Sequence, residues 1–153
     1  MTRGLIDDLV EARADFLTAL ERIDPSRLDA PGLTGEWSAR ELVAHLGYWA
    51  GHVAEVIHAV EGNRVDEIDD GDGSVDERNE TVARVARQAD LTTVRKREAA
   101  SVQALLERLA DLDPAHLSER LPDGVTLEEK IREDGAAHYR EHLSDLRSAL
   151  GPS

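Results

Sequence analysis

The stretch Glu133–Leu150, EDGAAHYREHLSDLRSAL, decides how this chain folds. Ile131, Gly135, His138, His142, Leu146 and Ala149 recur at steps of 4, 3, 4, 4 and 3. That is the 3.6-residue period of an amphipathic helix, not the alternation of a strand or a strict heptad seam. The stripe places both histidines in the buried face of one long last helix, at positions where leucine would serve a core better. Residues four apart on a helix stand one turn above each other, so both rings can converge on one point.

Working back along the chain, that last helix opens on a capping box, Thr126 with Glu129, and runs to Leu150 before Gly151 and Pro152. Three further segments carry the same period. Residues 4–22 align Leu5, Leu9, Ala12, Phe16 and Leu20. Residues 38–61 begin with a capping box, Ser38 with Glu41, and carry Leu42, His45, Leu46, Trp49, Val53, Val56 and Val60 inward before Gly62 and Asn63. Residues 75–112 form the third, with a break expected at 90–93, where Asp90, Thr92 and Thr93 offer fresh N-caps. Its second half aligns Val94, Val102, Leu105, Leu106, Leu109 and Leu112. Pro25, Pro31, Gly32 and Gly35 mark the first connection. No strand-like alternation and no internal repeat is present. The expectation is one all-α domain over residues 1–153, a four-helix bundle with long connections and a broken third helix.

Composition agrees. The 153 residues are 41% apolar and 33% charged, which suits a globular chain with one core. Phe16, Trp37, Tyr48, Trp49 and Tyr139 are the only aromatic residues, so aliphatic side chains must build that core. A net charge of −14 repels phosphate backbones and anionic membranes, so neither nucleic acid nor a membrane is an expected partner. No cysteine is present, which excludes disulfides, thiolate nucleophiles and Cys-based metal sites. There is no secretory stretch at the start and no run long enough to span a bilayer, and a cytoplasmic location is the default expectation.

His45 lies on the inner stripe of the second helix. If that helix faces the last, three imidazoles meet inside the bundle. Buried imidazoles need partners, and two readings satisfy them: a shared divalent metal, or hydrogen bonds to each other, backbone or water. The residues alone leave both open.

The pattern Trp37-Ser38-x-x-Glu41-x-x-x-His45-Leu46, followed by His138 and His142, resembles the DinB/YfiT-like family of metalloenzymes over nearly the whole chain. The resemblance implies a four-helix bundle in which His45, His138 and His142 bind a divalent metal, zinc or nickel, with water completing the shell. It also implies a homodimer. Relatives of that kind include thiol-dependent transferases and isomerases. The functional expectation is therefore metal-dependent thiol transfer or hydrolysis on a small molecule, with a low-molecular-weight thiol as cosubstrate. The alternative is a non-catalytic protein that binds a small molecule or metal under stress.

Other candidates each have a plain structural reading. His52, seven residues after His45, either lines the pocket as a proton carrier or packs. Trp37 serves as a staple on the first turn after the Ser38 cap. Trp49 and Tyr48 wall a cavity or fill the core. Asp134 and Asp145 are spaced to hold an imidazole N–H, or are solvated. Asn79 reaches for the cavity mouth. Arg140 and Glu141 are expected in solvent or at an interface, and His58 and His116 at the surface. Asp66, Asp70, Gly71 and Glu77 fit positions of a calcium loop, but Ile68 stands where a ligand is required, so the loop is expected to be solvated.

Overall fold

The computed structural model describes residues 2–68 and 75–150. The helices are α1 (Thr2–Glu21), the short α2 (Pro25–Leu28), α3 (Ala39–Glu61), α4 (Val75–Ala86), α5 (Leu91–Asp111), α6 (Leu127–Asp134) and α7 (Ala136–Leu150). Single 3₁₀ turns cover Val65–Glu67 and Pro114–Ser118. The described residues hold no strand, only two isolated bridges, Thr34 with Trp37 and Arg120 with Thr126.

The expected bundle is present. α1 buries Leu5, Leu9, Ala12, Phe16 and Leu20, the stripe read from its period. α3 is the central helix, and all of its predicted inner residues are buried. Its first turn is closed by Glu41, whose Oε1 accepts from Ser38 N (3.3 Å) and Ser38 Oγ (3.0 Å). Glu41 Oε2 accepts from Arg87 Nη2 at 3.0 Å, so the capping carboxylate also ties down the chain that leaves α4. The second capping box holds as well, with Thr126 N donating to Glu129 Oε2 at 3.1 Å and Glu129 N to Thr126 Oγ1 at 3.2 Å.

Two pairs of helices make the layers. α3 packs on α5 and carries α4 on its flank; α1 packs on α7. α1 also meets α5, and α6 meets α3. The α3–α7 edge is much less closely packed than either pair. At the α3–α5 crossing, Gly47 lets the backbones touch. A Cβ there would stand 2.9 Å from Glu98 Cα and 3.1 Å from Glu98 Cβ. Gly47→Ala therefore forces the two central helices apart. A loss of about 1–3 kcal/mol in unfolding free energy, read by urea denaturation, is the expected result.

The third segment breaks where expected: Asp90 Oδ1 accepts from Thr93 N at 2.7 Å and starts α5 afresh. The fourth breaks too, which was not foreseen. At Gly135 a Cβ would lie 2.5 Å from the carbonyl oxygen of Ile131, a closeness only glycine permits. The helix is thus two helices, and the continuous stripe through Gly135 is corrected. The buried face of α7 reads Ala136, Tyr139, Leu143 and Leu146. His138 and His142 stand beside that face, half-buried, because Tyr139 and Leu143 offer more apolar area to the core.

Tyr139 is fully buried, its ring edge-on to Phe16 at 5.7 Å between centroids. Nearby lies a charge the apolar pattern had skipped. Glu98 occupies the inner stripe of α5 between Val94 and Val102 and is 3% exposed. Arg13 of α1 grips it with two nitrogens, Nε and Nη2, the latter 3.1 Å from Oε2.

Candidate metal centre

α3 and α7 bring three imidazoles to their shared edge. His45 Nε2 lies 2.8 Å from His138 Nε2. The His142 ring centre is 5.1 Å from that of His45 and 4.9 Å from that of His138. One nitrogen from each ring falls within 4.8 Å of the others, the sole grouping of this kind among the described residues. In a tetrahedral shell with metal–nitrogen bonds of 2.0–2.1 Å, ligand nitrogens stand about 3.3 Å apart. One observed pair stands at 2.8 Å and all three nitrogens lie within 4.8 Å, a spread compatible with a shared centre after small side-chain adjustments.

Their chemistry also fits an ion. Burial, and then the nearby His142, lower the pKa of His45 to about 4. Burial, then His45 and His142, lower that of His138 to about 3. Both rings are therefore neutral at pH 7, the form that ligates. His142 Nδ1 is 2.9 Å from Asp145 Oδ2. The carboxylate can only accept, so Nδ1 carries the proton of this bond and Nε2 is the nitrogen left to ligate. His138 Nδ1 is buried and has no hydrogen-bond partner, so the fold alone leaves this cluster incompletely satisfied.

The lowered pKa values carry a pH prediction for the metal-free protein. Unfolded histidine takes up its proton near pH 6.5, while folded His45 and His138 resist it to about 4 and about 3. The unfolded state binds more protons in that window, so this contribution is whole above pH 6.5 and is lost as pH falls toward 4. Denaturation with a chelator present should show stability declining across that range. The decline should flatten in His45→Leu/His138→Leu.

The rings line a cavity of about 460 Å³. Trp37 stands 5.0 Å from His45, ring to ring. Trp49 lines the same space, and its Nε1 donates to Asn79 Oδ1 at 2.8 Å, pinning the start of α4 onto α3. From α6, Lys130 Nζ lies 2.9 Å from Asp134 Oδ2 and 5.7 Å from the centre of a Trp49 ring. Glu133 and Glu141 line the cavity and are exposed, so they form its rim.

The other sequence candidates divide. Asn79 reaches the cavity as expected, and Asp145 holds an imidazole. Asp134 faces the cavity but pairs with Lys130. Trp37 packs beside the core and also walls the site. Glu141 is exposed as expected, and it also lines the rim of the cavity, one turn after His138. Arg140 pairs with Asp8 of α1. His52 is buried under Tyr48, 6.5 Å between ring centres, and lines a different cavity of about 290 Å³. Tyr48 lines that second cavity and not the first. His58 is exposed; His116 is half-buried and bonded to Glu119, which raises its pKa. Of the calcium-loop residues, Asp66 lies in a 3₁₀ turn and Glu77 in α4, while Asp70 and Gly71 lie outside the described residues. Lys130 and Glu133 were not anticipated. Their only signal was their place in the turn and a half that leads into Gly135.

An α-helical bundle with three histidines converging on one lateral cavity is the class this geometry defines. Residues 8–145 match the model of the DinB superfamily, and the chain belongs to that superfamily. No curated protein sequence matches it. Among solved structures it is similar to the mycothiol-dependent maleylpyruvate isomerase, with a TM-score of 0.76 at 14% identity. A histidine-to-alanine variant of that enzyme gives the same values. The likeness covers 95% of this chain and 60% of the isomerase, so the chain spans well under the length of that protein. No helix among the described residues is long and apolar enough to cross a membrane.

Proposed function

We propose that this protein is a metal-dependent enzyme that joins a low-molecular-weight thiol to a small electrophile, with His45, His138 and His142 as the metal ligands. The observation that carries the reading is the approach of three nitrogens, one per ring, to within 4.8 Å at the floor of a cavity of about 460 Å³. The structural likeness to a mycothiol-dependent isomerase supports the thiol, and the absence of cysteine from the chain requires that any thiol come from outside. A divalent ion so held supplies a Lewis acid that keeps a thiol deprotonated at neutral pH.

The chain's own residues do the rest. Asp145 fixes the proton of His142 on Nδ1 and so keeps its other nitrogen available. Trp37 and Trp49 line the cavity with aromatic surface, Trp37 against the ring of His45. Asn79, held by Trp49, orders the mouth of the cavity at the start of α4. Zinc and nickel both suit three imidazoles. The test is turnover of a thiol with an electrophile by protein purified without a histidine tag. Activity should vanish with a chelator and return with one equivalent of metal. Undiminished turnover in the metal-free protein would reject the reading.

A further inference from the structure

The charge on the cavity wall narrows what can enter it. Of its four acidic and basic residues other than histidine, Lys130 and Asp134 lie 2.9 Å apart and neutralise each other. Glu133 and Glu141 remain, both exposed at the rim. Their basic neighbours in sequence turn elsewhere: Arg132 to Glu128 and Arg140 to Asp8. Asp145 adds a further negative charge behind His142. The whole chain, at −14, deepens this potential. Trp37 and Trp49 line the same cavity, and aromatic faces attract cations and flat apolar groups.

We infer that the site takes small molecules whose outer end is positively charged or neutral and disfavours an anionic outer end, with Glu133 and Glu141 as the specificity-determining residues. The inference rests on reading this cavity as the ligand site. It separates the protein from the isomerase it is similar to, because maleylpyruvate is an anion and this rim offers it no unpaired cation. The inner end of a ligand meets the three histidines and any ion they hold; its outer end meets two carboxylates.

The structure supplies its own probe. The chain has two tryptophans, and both line this cavity, so tryptophan fluorescence reports on it alone. Benzylammonium and phenylacetate, a matched pair of opposite charge, are titrated into metal-free and zinc-loaded protein at low ionic strength. Benzylammonium should bind about tenfold more tightly than phenylacetate in the metal-free form, the scale set by two carboxylates near a partly screened charge. The preference should shrink with salt. It should fall toward unity in E133Q/E141Q and persist in E107Q/D111N, which removes the same charge from α5. Equal or tighter binding of phenylacetate by the metal-free wild type, no binding of either probe, or an unchanged preference in E133Q/E141Q would overturn the inference. Zinc content of the same samples tests the metal reading separately. Preference without zinc uptake sinks the metal and keeps the charge selection, and zinc uptake without preference does the reverse.

Discussion

Replacing His45 by alanine lowers zinc affinity at least a hundredfold and removes the thermal stabilisation that zinc confers. His45 is the sole ring of the three that comes from α3; His138 and His142 both come from α7. Without it, two nitrogens one turn apart remain, and an ion they hold no longer bridges helices. Removing even a residue that only supports a ligand costs about 10–100-fold in affinity, so losing a ligand costs more. Ligand that binds the native state alone stabilises it by about 2.7 kcal/mol at one hundred times its Kd. A domain of this size gains about 2–4 °C per kcal/mol, so zinc should raise the wild-type Tm by roughly 5–10 °C under that loading. Isothermal titration and thermal scans with and without zinc measure both quantities. A His45→Ala protein that still takes up one equivalent at wild-type affinity would remove His45 from the ligand set.

Arg13→Ala carries the largest expected cost to the fold itself. Its guanidinium pairs with Glu98, a carboxylate 3% exposed between α1 and α5. Removing one member of a buried pair strands the other, at about 3–5 kcal/mol. Arg13 is itself about a quarter exposed, so water reaches the gap and the lower end applies. A loss of about 3 kcal/mol and a Tm lower by roughly 6–12 °C are expected for the metal-free protein. Arg13→Met/Glu98→Leu should recover most of it, because a well-packed apolar pair often replaces a buried ion pair without penalty. If the double variant is as unstable as Arg13→Ala, the loss comes from packing of the arginine stem and not from the stranded charge.

Much of this was legible in the residues. The 3.6 period located the main helices, both capping boxes formed, and Asp90 marked the break before α5. These are local signals, decided within a few residues. His45, His138 and His142 were legible as a trio because the pattern around them carries a family resemblance, although their spacing alone left packing and ligation equally open. What failed was phase. Gly135 looked like a small member of a continuous stripe, and its true role depends on how close the Ile131 carbonyl comes. With the break at Gly135, Tyr139 and Leu143 take the buried face of α7 and the two histidines stand beside it. Glu98 was passed over for a related reason: a carboxylate on an apolar stripe is tolerable only if a cation waits opposite, and Arg13 lies 85 positions away.

The loosely packed edge between α3 and α7 bears on how such a bundle diversifies. Its rim is made of exposed side-chain tips such as Glu133 and Glu141, not interlocked main chains. Trimming or enlarging one of them reshapes the slot, while the Leu–Val interior on the far side of α3 keeps its interdigitation. A scaffold of this design can trade one guest for another by a few surface exchanges, with the folded state scarcely registering the difference.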